Sequence, residues 1–210
     1  MSTQSVLERC HPGRRAALKR EILARSLACF NDQGIEATTI EVIKAACETS
    51  VGAIYHHFGN KDGLIAALFF CALDDQAQLL NTRLSQAHDL RGGVHAMVFS
   101  YLDWVTAEPE LARFLFQARS FVAKGPQAQV LVERNRARNQ ALLAWFSQVE
   151  DGARLTKCSP DLLPSLIVGQ SENYCRAWLS GRVRATPQAH RHALAEAAWG
   201  SITAVAALAG

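Results

Sequence analysis

Tyr55, His56, His57 and Phe58 stand in a row, and Asn60, Lys61 and Asp62 follow after a single glycine. A phenol and two imidazoles beside a lysine suit metal ligation, an aromatic turn, or the grip of an anion. Metal ligation fares worst. Adjacent helical residues point about 100° apart, and no Cys or carboxylate lies at ligand spacing from His56 or His57. No metal site is expected. Tyr55 by itself fits either an amphipathic core residue with its hydroxyl at the edge or a phenol bonded to a phosphate. Lys61 favours the anion, because a lysine and the free backbone N–H groups at a helix start converge on one negative charge.

Those residues need helices to place them. Leu18, Ile22, Leu23, Leu27 and Phe30 recur at steps of three or four before Gly34, which predicts a first helix over 13–33 with a glycine stop. Thr38 or Thr39 caps a short second helix through Cys47, and Ser50 caps a third to Phe58. Asn60 then caps a long fourth helix, with Asp62 in its first turn and Leu64, Ile65, Leu68, Cys71 and Ala72 along it to about Ala87. Two short helices joined at Glu48 suit a helix-turn-helix, whose second member enters a major groove. In that member Ser50, Val51, Ala53, Tyr55 and His56 spread outward, Ile54 and Phe58 face the core, and Gly52 leaves room for close backbone approach. The remainder reads as helices over 92–108, 109–122, 126–149, 160–180 and 187–208, four of them opened by a proline. No hairpin dipeptide stands between alternating segments, so the class is all-α: a three-helix head joined to a larger helical domain.

Composition narrows the function. Of 210 residues 49% are hydrophobic and the net charge is +3, which excludes disorder and argues only weakly for nucleic acid. The distribution says more. Arg9, Arg14, Arg15, Lys19, Arg20 and Arg25 face only Glu21 between positions 9 and 25, a local basic patch or a solvated helix face. Six scattered cysteines form no CxxC and no ligand spacing, and the arginines interrupt any leader-like apolar run. Reduced thiols and a cytoplasmic location are expected. The longest apolar stretch, 197–210, is too short and too broken to span a bilayer of about 30 Å, so no membrane partner is expected. Neither G-x-S-x-G, H-E-x-x-H nor a phosphate loop occurs, and neither an enzyme nor a cofactor is expected.

Thr38-Thr39-Ile40 through Ala45-Ala46, then Ser50-Val51-Gly52-Ala53-Ile54-Tyr55-His56-His57-Phe58, then Asn60-Lys61-Asp62-Gly63-Leu64 resembles the N-terminal domain of TetR-family regulators over about the first third of the chain. The resemblance implies an all-α homodimer that represses transcription, with a DNA-binding domain over 1–60 and a ligand-binding and dimerisation domain over 61–210. It also implies that Thr39, Tyr55 and Lys61 touch phosphate and that Ser50, Val51, Ala53 and His56 face the groove of a double-stranded operator. Gly52 and the patch residues Arg14 and Arg15 complete the expected DNA-binding set. Three residues depart from the family pattern: Glu48 where glycine is usual in the turn, Thr49 where valine is, and Val51 where a basic residue is common. Glu48 brings local backbone strain and a negative charge near DNA.

For the larger domain, His95, Phe99, Trp104, Phe116, Gln117, Asn139, Phe146, Gln170 and Tyr174 are the candidate lining of an apolar pocket with a few polar groups, suited to a small hydrophobic or amphipathic effector. Leu162, Leu166 and Trp178 on one helix, with Leu194, Ala198, Trp199, Ile202 and Val205 on the last, form stripes that serve either as core or as the homodimer interface the resemblance implies. Release from a near-palindromic operator would follow when an effector tilts the long fourth helix. One alternative replaces the effector by oxidation of Cys47, with Lys44 lowering its pKa; a remoter one is a helical small-molecule carrier or enzyme without DNA binding.

Overall fold

The computed structural model describes residues 3–159 and 161–208. Among them are ten α-helices and no strand. The chain divides into two compact units: the first runs to Asp75 and takes in Ala107–Leu131, and the second comprises Gln76–Thr106 and the chain from Val132 onward.

The first unit opens with α1 (Thr3–Cys10), a 3-10 turn (Arg14–Ala16), α2 (Ala17–Gln33), α3 (Ile40–Cys47) and α4 (Val51–Phe58). It includes the start of α5 (Lys61–Leu84) and all of α7 (Pro109–Lys124). Its core is the apolar face of α2, where Ile22, Leu23, Leu27 and Phe30 are buried, together with Ile43 and Cys47 of α3, Ile54 and Phe58 of α4, and Leu64 and Leu68 of α5. Phe30 stacks on Phe114 of α7 with ring centroids 5.6 Å apart. Asn31 Nδ2 donates to the Glu110 carbonyl at 3.0 Å. Each fully buried Leu, Ile or Phe in this cluster contributes about 1.5–3 kcal/mol.

Helix α1 has no counterpart in the sequence expectation, where Arg9 and its basic neighbours mark only a patch. Eight residues give too little periodicity to register, but Val6 and Leu7 are fully buried. Arg9 Nε donates to Asp75 at 2.7 Å, and that carboxylate holds the guanidinium pKa above its ordinary value. The expectation of uniformly reduced thiols is corrected in the same place, because Cys10 and Cys71 are paired as a disulfide with Cα atoms 5.8 Å apart. The two lie 61 positions apart in the sequence, so no local spacing announces the pairing.

The second unit holds the rest of α5, α6 (Leu90–Ala107), most of α8 (Ala128–Gln148), a 3-10 segment (Gly152–Lys157), α9 (Leu162–Leu179), a 3-10 turn (Pro187–His190) and α10 (Arg191–Leu208). Helix α9 packs on α10, burying Ile167, Ser171 and Cys175 with Ala195, Ala198 and Ile202. Asp103 accepts from Gln188 Nε2 at 2.7 Å and pairs with Arg83 and Arg191. Helix α6 begins two residues before the expected position because Asp89 Oδ1 accepts from the Gly92 N–H at 2.6 Å and caps it. Proline punctuation holds at Pro109 and Pro187, the latter through a 3-10 turn ahead of α10. Pro160 lies outside the described residues, as do positions 209 and 210 of the stretch 197–210.

Among the described residues, the helix apolar and long enough to cross a membrane by length and composition is α5: 24 residues with a mean hydropathy of 1.4 over an 18-residue window. Half of that window is buried inside the protein, as a core helix requires.

The junction between α4 and α5 fixes how Tyr55 and Lys61 follow one another along the chain. Gly59 turns the chain at φ 75°, its N–H donating to the Tyr55 carbonyl at 2.8 Å. Asn60 Oδ1 accepts from the Gly63 N–H at 2.8 Å and caps α5. A Cβ on Gly63 would overlap the Phe58 carbonyl oxygen, so a side chain there forces the two helices apart. Gly63→Ala is expected to cost about 1–3 kcal/mol, measured by thermal unfolding followed by circular dichroism; an unchanged midpoint would show that the junction has slack.

Candidate nucleic-acid interface

Helix α3 starts at Thr39, whose side-chain oxygen accepts from the Val42 N–H at 3.3 Å. Thr38 does not cap: it is fully buried, with Oγ1 donating to the Gly34 carbonyl at 2.8 Å. Helix α4 starts at Ser50, which accepts from the Ala53 N–H at 3.1 Å. Each capping hydroxyl spends a lone pair on its helix and keeps its O–H free to donate outward. Between the helices Glu48 adopts φ 51°, ψ 33°, the left-handed conformation that glycine occupies at no steric cost. The expected strain at this departure from the family pattern is present.

Ile54 is fully buried and Phe58 nearly so, which turns the opposite side of α4 outward. Gly52 and His56 are exposed, Tyr55 is 49% exposed, and Val51 and Ala53 are half-buried. A Cβ on Gly52 would approach only Ser50 Oγ, at 3.8 Å, so no neighbouring protein atom demands glycine there. His57 leans its ring toward Phe58, with centroids 6.0 Å apart. Among the described residues no group of three His, Cys, Asp or Glu is placed to hold a metal ion.

Lys61 stands at the first position of α5 and donates to the Glu36 carbonyl at 3.1 Å. One of its three N–H donors is thus used, which holds the ammonium at the Glu36 carbonyl. Glu36 is a partner that sequence reasoning does not find, since only its backbone participates. The basic patch divides. Arg14 and Arg15 are exposed on the 3-10 turn, whereas Arg20 Nη1 donates to the carbonyls of His11 and Gly13 at 2.7 and 2.8 Å and shapes that turn instead. Lys19 lies 5.8 Å from the Phe58 ring centroid.

The expected effector-pocket residues fall in several places. Phe116 and Gln117 belong to α7 in the first unit, and the other seven to the second. His95 and Phe99 lie together: His95 Nε2 is 3.2 Å from Glu196, and the Arg191 guanidinium sits 4.1 Å from the Phe99 ring centroid. Tyr174 donates to the Ala185 carbonyl at 3.1 Å, Gln170 to Ser201 at 3.3 Å, and Asn139 to Asp161 at 3.5 Å. Trp104 and Phe146 are buried core. A shallow surface groove in the first unit, lined by Asp62, Ile65, Phe121 and Pro126 among others, includes none of the nine.

Of the interface stripe, Leu162 is 43% exposed, and Leu166, Trp178, Leu194, Trp199 and Val205 are half-buried. Ala198 and Ile202 are fully buried within one chain, so they cement α9 to α10 and add no area to a contact with a second copy. Cys47 does not show the activated thiol that an oxidation sensor needs. Burial pushes its pKa up to about 11, opposite to the lowering expected from Lys44, because the thiol faces the apolar side of α3.

Residues 22–68 match the family model described as bacterial regulatory proteins, tetR family. The HTH-type transcriptional repressor AcnR of Corynebacterium efficiens is 32% identical over 123 residues, covering 57% of this chain and 63% of the relative. AcnR of Corynebacterium glutamicum is 32% identical over 126 residues with the same coverage. The chain thus spans less than two thirds of the length of these curated relatives. A TetR family transcription regulator from Marinobacter aquaeolei VT8 shares the fold over 90% of this chain and 96% of its own, with a TM-score of 0.72 at 21% identity.

The left-handed residue yields a test with two readouts. Glu48→Gly removes a strained conformation and a carboxylate together. It is expected to raise stability by about 1 kcal/mol in denaturant unfolding and to tighten binding to any duplex in fluorescence anisotropy. Unchanged duplex binding by a stabilised variant would place Glu48 away from the nucleic acid.

Proposed function

We propose, on the premise that residues 22–68 of this chain form a TetR-family DNA-binding head, that the protein is a homodimeric transcriptional repressor bound to a near-palindromic operator and released by a small hydrophobic or amphipathic molecule. The observation that carries the reading is the α4–α5 junction. It joins α4, on whose outward side Gly52, His56 and the Tyr55 side chain are exposed and Val51 and Ala53 half-buried, directly to Lys61, the first residue of α5. That arrangement sorts into base-facing and backbone-holding groups. Tyr55, Thr39 and Lys61, with Arg14 and Arg15 flanking them, hold phosphates. Val51 and Ala53 offer apolar contact of the sort a thymine methyl takes. The relatives named as repressors support the regulatory sense.

In a dimer built on the exposed sides of α9 and α10, two-fold symmetry sets the two α4 helices about 34–36 Å apart, one turn of DNA. Leu162 and the half-buried Leu166, Trp199 and Val205 supply apolar area for it. Helix α5 begins at Lys61 and continues unbroken to Leu84, from the first unit into the second. It is the element through which an effector shifts the head, with a coupling of about 1–3 kcal/mol. Such a regulator works in the cytoplasm, where its operator is. The relatives are regulators by name, and neither an enzyme nor a carrier reading gains an observation.

The test is fluorescence anisotropy at near-physiological salt with the duplex upstream of the protein's own gene and a shuffled duplex. The native duplex is expected to bind at least 100-fold more tightly. Tyr55→Phe, which removes one hydroxyl, is expected to weaken both duplexes alike by about 0.5–1.5 kcal/mol. Equal, weak binding to both duplexes counts against a sequence-specific regulator of its own gene.

A further inference from the structure

Two consecutive residues at the end of α1 reach two positions one turn apart on α5. Arg9 donates to Asp75 at 2.7 Å, and Cys10 is joined to Cys71 with Cα atoms 5.8 Å apart. That Cα separation is the one a disulfide adopts without moving the backbone. The thiols do not depend on each other for their proximity: Val6 and Leu7 of α1 are fully buried and Asp75 is 8% exposed, so burial and the ion pair hold α1 in place when the sulfurs are apart. Access is unequal. Cys10 is half-buried and Cys71 is 5% exposed, which makes Cys10 the entry thiol and Cys71 the resolving one. The other four cysteines, Cys29, Cys47, Cys158 and Cys175, form no disulfide.

We propose that Cys10 and Cys71 are a reversible thiol–disulfide switch, closed by exchange with a low-molecular-weight disulfide and opened by thiols, that staples α1 to α5 and stiffens the head. In the closing reaction the Cys10 thiolate attacks one sulfur of oxidised glutathione, the S–S bond breaks, and one glutathione thiolate leaves. The Cys71 thiolate then attacks the Cys10 sulfur of the mixed disulfide and expels the second glutathione. Two protein thiols are oxidised, one glutathione disulfide is reduced to two thiols, and the two protons pass to them. The closed bond spans a sequence separation of 61 residues and removes loop freedom from the unfolded chain. In the folded head it fixes the end of α1. The next residues, His11 and Gly13, offer the carbonyls that Arg20 binds, so the staple anchors the turn bearing the exposed Arg14 and Arg15. The switch does not require that the head bind DNA.

The test uses the full chain equilibrated with oxidised glutathione or with dithiothreitol, mapped by non-reducing proteolysis and mass spectrometry and melted in parallel. The expected result is a Cys10–Cys71 peptide in the oxidised sample only, with a melting midpoint several degrees above that of the reduced sample. Cys10→Ser and Cys71→Ser are each expected to melt with the reduced wild type under both conditions, and Cys29→Ser to keep the shift. Reduced wild type supplies the folded reference should either serine variant be unstable. Alkylation of both Cys10 and Cys71 after oxidation, equal midpoints, or a shift that survives in Cys10→Ser would overturn the proposal.

Discussion

A carbonyl oxygen at the end of α4 occupies the space that a side chain on residue 63 would need. That steric constraint fixes the angle at which α5 leaves α4, and with it the positions of the groups that would grip DNA. Tyr55 lies one turn before the constraint, and its carbonyl receives the Gly59 N–H at 2.8 Å. Lys61 lies two residues after Gly59, its N-cap Asn60 already bonded to the Gly63 N–H. Neither a strong propensity nor a large buried area is involved. Glycine at two places and one asparagine convert two helices into a rigid corner, and the buried Ile54, Phe58 and Leu64 hold that corner on the core beneath it.

The same corner explains what was legible in the sequence. Caps at Ser50 and Asn60, glycine after Gln33 and proline at the start of α7 are single-residue signals with local causes, and they placed those helix ends within a residue or two. The core side of α4 was legible because Ile54 and Phe58 stand four apart. Helix α1 was not legible, since its eight residues are held by Asp75 and Cys71 from far along the chain. The Glu36 carbonyl that receives Lys61 and the burial of Thr38 are tertiary facts with no sequence signature. Nor does periodicity separate a stripe that packs inside a chain from one that packs between chains: Ala198 and Ile202 share their spacing with residues that remain half-buried.

In the second unit, polar side chains that read as a pocket are largely spent on structure. His95 and Arg91 meet Glu196, whose pKa is lowered by the Arg91 hydrogen bond. Phe99 lies under the Arg191 guanidinium, and Tyr174 ties α9 to the following loop. Trp145 rests where Gly93 has no side chain. An effector entering this unit must exchange some of those contacts for its own, and only the difference between the two states moves the equilibrium. The first unit is built differently, with Arg14, Arg15, Tyr55 and His56 already exposed.

In the proposed complex two copies of α4, related by two-fold symmetry, read adjacent major grooves. Selection of the wild-type protein on a library of random duplexes, followed by hydroxyl-radical footprinting of the enriched sequence, tests it most directly. The expected result is a near-palindrome with two protected patches centred about 10 base pairs apart. Enrichment of no sequence, or a single protected patch from a lone head, would contradict it.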